Sequence, residues 1–148
     1  MKEERRPVMR ALNPLILGAF LGAFPMAAAA WDHSIERGLD LYQARDGGVS
    51  VALVCDPNSV YGGTSQSGVL LNLVGNVDAS LPVTFRFPDG MAVQAELVHG
   101  RVGKAEMDAG AWASLLDGFR RNAAMTLEVG DAASRPIELG EPVMFTCV

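Results

Sequence analysis

The sequence is poor in the residues that build metal and redox sites. Its 148 residues include only two cysteines and two histidines. Zinc sites need several Cys, His or carboxylate ligands at short spacings, and the sequence contains no such cluster. Cys55 and Cys147 lie far apart, whereas redox pairs usually have a Cys-x-x-Cys spacing. We therefore expect neither a metal site nor a cofactor.

Positive charge is also scarce. The chain has 12 Lys and Arg against 17 Asp and Glu, which gives a net charge of -5. Contacts to phosphate need clustered basic side chains, so the sequence predicts no nucleic acid partner. A basic partner is one option for an acidic surface, although such a surface also serves solubility alone.

Signatures of catalysis are missing as well. A Gly-x-Ser-x-Gly elbow does not occur, because residues 64–68 lack its first glycine. Gly62-Gly63-Thr64 is not followed by the lysine of a phosphate-binding loop. His99, next to Gly100, is expected to be a turn or edge residue and not a general base. We identify no catalytic residue.

Residues 1–30 have the pattern of a secretory signal peptide. Met1–Arg10 carries four basic residues, an apolar run follows over 11–26, and Ala27–Ala30 supplies small residues for cleavage. A membrane span is less favoured, because no basic stop-transfer cluster follows and the run is interrupted by Asn13, Pro14 and Pro25. The sequence predicts a single exported domain over 31–148, periplasmic or secreted, with no membrane anchor after cleavage. The Sec and twin-arginine routes both stay open.

The two cysteines predict one structural disulfide. Each ends a run of alternating apolar residues, 49–55 and 143–147, and shares parity with the larger apolar side chains. Alternate residues of a strand point to the same face, so both cysteines should point into a core. An exported protein with two such cysteines is expected to join Cys55 to Cys147.

Two hairpins are predicted from turn residues and alternation. Residues 39–45 and 49–55 should pair across a three-residue loop, which places Leu39 and Leu41 on the core face. Residues 81–87 and 91–98 should pair across Pro88-Asp89-Gly90, with Phe85 opposite Val93.

The remaining pattern completes a mainly β fold with one helix. From Asp108, apolar residues recur at i, i+3, i+4 and i+7 (Trp112, Leu115, Leu116 and Phe119), which is typical of an amphipathic helix. Asp108 can cap its start, and Gly118 weakens the helix slightly. Further strands are predicted at 68–74, 124–129, 136–139 and 143–147. The expected architecture is an antiparallel β-sandwich or barrel with one amphipathic helix and one disulfide.

The least patterned stretch, 56–67, is predicted to be a long mobile loop. Loops held by a rigid scaffold often carry function. This loop presents one tyrosine among small polar residues, so we take it as the candidate binding surface, although a plain connector remains an alternative. The candidate binding residues are Tyr61, Gly62, Gly63 and Thr64.

The order of features after residue 30 is similar to that of a known family. An early Trp31 is followed by a hairpin ending in Cys55 and by a Pro-x-x-x-x-x-Pro-Asp-Gly hairpin at 82–90. A helix-to-strand step then leads from Trp112–Phe119 to Met125–Val129. This layout resembles the periplasmic proteins of the invasion-associated locus B type. The resemblance implies an exported β-sandwich with a binding or surface role and no known catalytic residues.

Three functions are compatible with these observations. The leading hypothesis is a non-enzymatic periplasmic or secreted protein that binds a protein or a small molecule. The alternative is a small exported hydrolase whose carboxylates or serine come together only in the fold. A purely structural envelope role is the third. A cleft with convergent carboxylates of perturbed pKa would favour the enzyme, whereas a flat acidic or apolar patch beside loop 56–67 would favour the binding protein.

Overall fold

Two antiparallel sheets share one hydrophobic core in the computed structural model, which describes residues 31–73 and 80–148. The first sheet has the strand order β1-β2-β3-β4-β7, and the second has the order β6-β5-β8-β9. The sheets do not close into a barrel, so the sandwich is confirmed and the barrel alternative is wrong. The elements are β1 (Asp32–Glu36), β2 (Leu39–Asp46), β3 (Val49–Cys55), β4 (Gly68–Asn72), β5 (Leu81–Arg86), β6 (Ala92–Leu97), β7 (Arg101–Gly103), α1 (Ala109–Arg121), β8 (Ala124–Val129) and β9 (Arg135–Glu138).

The predicted signal peptide, residues 1–30, lies outside the described residues, as does Val74, the last residue of the predicted strand 68–74. Within the described ranges, no helix combines the length and hydrophobicity that a membrane span requires.

The turn between β2 and β3 corrects the predicted register. Gly47 and Gly48 have φ values of 53° and 83°, and a two-residue type I′ turn requires positive φ at both central positions. Asp46 therefore pairs with Val49, and the predicted three-residue loop is wrong. Glycine adopts these angles without a steric penalty, which explains why the shorter turn forms.

This one-residue shift turns the side chains of β2 over. Tyr42 and Ala44 are buried in the core, opposite Leu53 and Val51. The predicted placement of Leu39 and Leu41 on the core face is wrong, because the shift moves every side chain of the strand to the other face. Both leucines lie half-buried on the outer face of the sheet.

Two other two-residue turns have the same backbone signature. Arg37-Gly38 joins β1 to β2 with φ values of 51° and 83°, and His99-Gly100 joins β6 to β7 with 49° and 76°. His99 is therefore a turn residue, as predicted. Arg37 is the less expected occupant, because non-glycine residues other than Asn, Asp and His rarely adopt this conformation.

The second hairpin has the predicted register. Phe85 pairs with Val93, and Leu81 pairs with Leu97. The Phe87 amide donates to the Met91 carbonyl at 2.8 Å, closing the Pro-Asp-Gly loop. Both hairpin strands therefore turn their larger apolar side chains toward the shared core.

The helix is confirmed, with Asp108 as its N-cap. The Asp108 carboxylate accepts hydrogen bonds from the amides of Gly110 and Ala111 at 2.8 and 3.3 Å. These bonds satisfy amides that have no partner within the helix. The predicted apolar stripe is buried, and it consists of Trp112, Leu115, Leu116 and Phe119.

The C-terminal segment 143–147 was predicted to be a strand, and this is wrong because it lies outside both sheets. Side chains hold it instead of a ladder of backbone hydrogen bonds: Arg120 donates to the Cys147 carbonyl at 2.9 Å. Phe145 and Cys147 are nevertheless buried and Met144 is exposed, so the predicted alternation is present. The disulfide between Cys55 and Cys147 is confirmed, with 4.6 Å between their Cα atoms.

Candidate functional site

Apolar side chains line the outer face of the five-stranded sheet, where a solvent-facing sheet normally carries polar ones. Leu39 and Leu41 on β2, Val54 on β3 and Leu70 on β4 form the floor of a concavity of about 510 Å³. We call it the sheet groove. Leu70 is 40% exposed, so the floor is open to solvent. The rest of the lining is Tyr61 and Gln66 from loop 56–67, with Glu36, Arg37 and Arg101.

The strand pairing explains why these side chains lie together. Leu41 is opposite Val54, and Leu70 is opposite Arg101, so the floor crosses β2, β3 and β4, and Arg101 extends the groove to β7. Three strand spacings separate β2 from β7, a distance of about 14 Å. The groove is therefore elongated, with Arg37 in the turn at one end and Arg101 at the other.

A single buried carboxylate holds loop 56–67 in place. Asp56 is 3% exposed, and its two oxygens accept the amides of Val60 and Gln66, each at 2.9 Å. Its own amide donates to the Ser67 hydroxyl at 2.9 Å. The first residue of the loop is thus bonded to Val60 within it and to Gln66 and Ser67 at its other end, and the loop is anchored at its base. The sequence analysis did not single out Asp56.

Tyr61 brings the loop to the groove. Its hydroxyl donates to the Arg37 carbonyl at 3.2 Å, and its side chain is 58% exposed. Beside it, Val60 packs against Gly38, where an added Cβ would lie 3.3 Å from a valine methyl. These contacts fold the loop back onto the β1–β2 turn, so Tyr61 lies at the rim of the groove.

The other three candidate residues lie away from the lining. Gly62 and Gly63 have φ values of 73° and 66°, and added side chains there would meet nothing within 4 Å. Thr64 is exposed, and its carbonyl accepts the Gln66 side-chain amide at 3.2 Å. The structure therefore brings Tyr61 to the groove, and it leaves Gly62, Gly63 and Thr64 at the tip of the loop.

The ends of the groove carry positive charge in an otherwise acidic chain. Among the described residues, neither Arg37 nor Arg101 lies within ion-pair distance of a carboxylate. Arg101 donates to the Gln66 carbonyl at 2.9 Å and so also supports the loop. Glu36 is the one acidic residue in the lining, next to Arg37. The two arginines outnumber it, so the groove is locally cationic.

A polar cluster separate from the sheet groove lies on the inner face of the same sheet. His33 and Asp40 are 2.8 Å apart, and Thr146 donates to the other Asp40 oxygen at 2.8 Å. The hydrogen bonds from His33 and then Thr146 lower the pKa of Asp40 below its ordinary value of 3.8. Thr146 bonds to the carboxylate and not to the imidazole, so these three do not form the nucleophile–base–carboxylate chain of a hydrolase. The cluster joins β1 and β2 to the C-terminal segment.

Among residues 31–73 and 80–148, no three His, Cys, Asp or Glu side chains converge on one point. The sheet groove offers one carboxylate and two guanidiniums, a donor set that suits an anion better than a cation.

Comparisons with protein-family models, with curated proteins and with solved structures found no match. The similarity of layout to locus B-type proteins therefore stays a prediction. The chemistry of the groove is the basis on which a function can be proposed for this chain.

Replacing Asp56 with alanine is expected to release loop 56–67. The amides of Val60 and Gln66 would lose their acceptor, and losing hydrogen bonds to a buried charged group costs about 2 kcal/mol. Hydrogen exchange measured by NMR should become much faster at these two amides. Asp131→Ala, at an exposed carboxylate, is the control and should leave them protected. Unchanged protection in Asp56→Ala would contradict the anchoring role.

Proposed function

We propose that this protein is a non-enzymatic, exported binding protein whose ligand lies in the sheet groove. The observation that carries the proposal is an open apolar concavity beside loop 56–67, on a sheet face that is not part of the shared core. The feature is a concavity and not the flat patch expected from the sequence, but its apolar floor favours binding, and its lining holds one carboxylate where a hydrolase would need convergent ones.

Packing of the fold does not account for the apolar floor. The inner faces of both sheets and the helix already supply the core, and Leu39, Leu41 and Leu70 do not belong to it. Apolar surface left in contact with water is unfavourable, and contiguous patches often mark interaction sites. The floor is explained if a ligand covers it.

The size of the groove favours a small molecule over a protein partner. Small-molecule sites usually have volumes of about 300 to 1,000 Å³, and the groove has about 510 Å³. Its cationic ends also favour an acidic ligand, so a basic partner would have to bind elsewhere on the acidic surface. Tyr61 and Gln66 at the rim add polar groups that can orient the ligand.

An exported location belongs to the same proposal. Its support is the basic, apolar and small-residue pattern of residues 1–30, together with the Cys55–Cys147 disulfide. Disulfides persist in oxidising compartments such as the periplasm and the extracellular space. The layout shared with locus B-type periplasmic proteins agrees with this location.

Calorimetric titration with decanol tests the proposal, because this probe is apolar and carries no charge. We expect saturable binding that weakens at least fivefold in Leu70→Thr, since threonine keeps the strand but removes apolar surface from the floor. Ile35→Thr is the matched control, because Ile35 is 69% exposed in β1 and does not line the groove. This control variant should bind like the original protein.

Two results would overturn the proposed function. One is the absence of saturable binding of any apolar probe to the folded protein. The other is an equal effect of Leu70→Thr and Ile35→Thr, which would mean that binding depends on exposed apolar surface in general and not on the groove.

A further inference from the structure

We infer that the sheet groove selects an amphipathic carboxylate, with its acidic head at Arg37 and its aliphatic chain across the leucine and valine floor. This inference rests on the proposed function and specifies its ligand class. Neither feature alone defines the ligand, since an apolar floor accepts many molecules and a single arginine binds many anions. The combination of the two in one elongated groove is what selects an acid with a long apolar chain.

The floor fits an extended chain. It crosses two strand spacings from β2 to β4, about 10 Å, and presents aliphatic side chains from these three successive strands. Aliphatic side chains on a pleated surface give a shallow, continuous apolar track. Tyr61 lies at the same end as Arg37, where its ring can cover the part of the chain nearest the head group.

Arg37 occupies a position whose backbone favours other residues. Its φ of 51° is left-handed, and Asn or Gly would suit the first position of this turn better than arginine. The turn therefore does not explain the guanidinium. Tyr61 bonds to the Arg37 carbonyl, which ties the backbone of the turn to the rim of the groove.

The charges at the Arg37 end of the sheet groove determine which head group binds there. Arg37 has no carboxylate partner among the described residues, so its guanidinium is available to bind an acid with paired hydrogen bonds. Glu36 lines the groove beside it and repels the same acid. Removing Glu36 should therefore strengthen binding of a carboxylate, an effect that a purely structural role for these residues would not produce.

Titration with decanoate and decanol, which share one aliphatic chain, tests the inference. We expect decanoate to bind about tenfold more tightly, because its carboxylate accepts paired, charge-assisted hydrogen bonds from Arg37 that a hydroxyl cannot match, while Glu36 offsets part of the gain. Arg37→Asn keeps a turn-favouring residue and should abolish this preference, so that the two probes bind with equal affinity. Glu36→Gln should increase the preference for decanoate.

Arg86→Gln is the matched control, because it removes the same charge from an exposed site on the other sheet. It should keep the preference for decanoate. Equal losses in Arg86→Gln and Arg37→Asn would overturn the inference in favour of general electrostatic attraction.

Two further outcomes separate this inference from the proposed function. If decanol binds in the groove and decanoate binds no better, the inferred selectivity for a carboxylate is wrong and the proposed binding function stands. If neither probe binds, both fail. If the protein sediments with phosphatidylglycerol vesicles but does not bind monomeric decanoate, the inference of a small acid is overturned. The ligand is then an anionic membrane surface.

Discussion

Replacing both cysteines with alanine is expected to lower the free energy of unfolding by about 4 to 5 kcal/mol. The disulfide joins residues 92 positions apart, and a cross-link over a long loop removes much conformational freedom from the unfolded chain. Domains of this size are stable by only about 5 to 15 kcal/mol, so the loss is a large fraction of the total. Equilibrium unfolding in urea measures it.

The disulfide also holds a segment that no strand pairs with. Residues 143–148 lie outside both sheets, so in the double variant their amides should exchange faster with solvent than those of β3. Met144→Ala is the control, because Met144 is 85% exposed on the same segment. A double variant that loses less than about 1 kcal/mol would contradict this role.

Gly118→Ala is expected to destabilise the protein by about 2 kcal/mol, although alanine is the better helix former. At an exposed helix position, replacing glycine with alanine stabilises a protein by about 1 kcal/mol through helix propensity. At Gly118, however, an added Cβ would overlap ring carbons of Phe87, and overpacking of this kind typically costs about 1 to 3 kcal/mol. The glycine is therefore required by the close approach of the helix to Phe87.

A double-mutant cycle separates packing from propensity. Phe87→Leu removes Cε2 and Cζ, the two ring carbons nearest the added Cβ, so Gly118→Ala should cost much less in that background. Ser114→Ala, on the exposed side of the same helix, should change stability little. Stabilisation by Gly118→Ala in the original protein would show that the helix and Phe87 are not packed as described.

Local signals in the sequence predicted the elements that depend on neighbouring residues. The Pro88-Asp89-Gly90 turn allows one register that buries Phe85, so the second hairpin was predicted with its pairing. The helix was predicted from its apolar spacing and from Asp108 as its cap. The disulfide followed from the parity of the two cysteines within their own runs.

The first hairpin shows why a register can be missed. Gly47-Gly48 fits a two-residue turn as well as part of a longer loop, and β2 offers apolar side chains on both faces. With Leu39 and Leu41 on one face and Tyr42 and Ala44 on the other, burial alone does not decide the pairing. The positive φ of both glycines decides the pairing in favour of the two-residue turn. Turn geometry was therefore the signal from which the register of β2, and with it the floor of the sheet groove, could have been predicted.

The sequence predicted only those parts of the candidate site that depend on residues close together in the chain. Loop 56–67 and Tyr61 stand out by composition, but the floor depends on the register of β2. Asp56 resembles an ordinary turn residue, and only its burial reveals the bonds to the loop. Arg101 reaches the loop across 35 positions of sequence, a distance over which no pattern predicts contact.

Methyl NMR during titration with decanol tests the central claim most directly, because it locates the ligand on the sheet. The account predicts shifts at the methyls of Leu41, Val54 and Leu70, while the core methyls of Leu53 and Leu115 stay in place. Shifts confined to another surface of the protein, or no shifts at saturating probe, would contradict the assignment of the groove as a binding site.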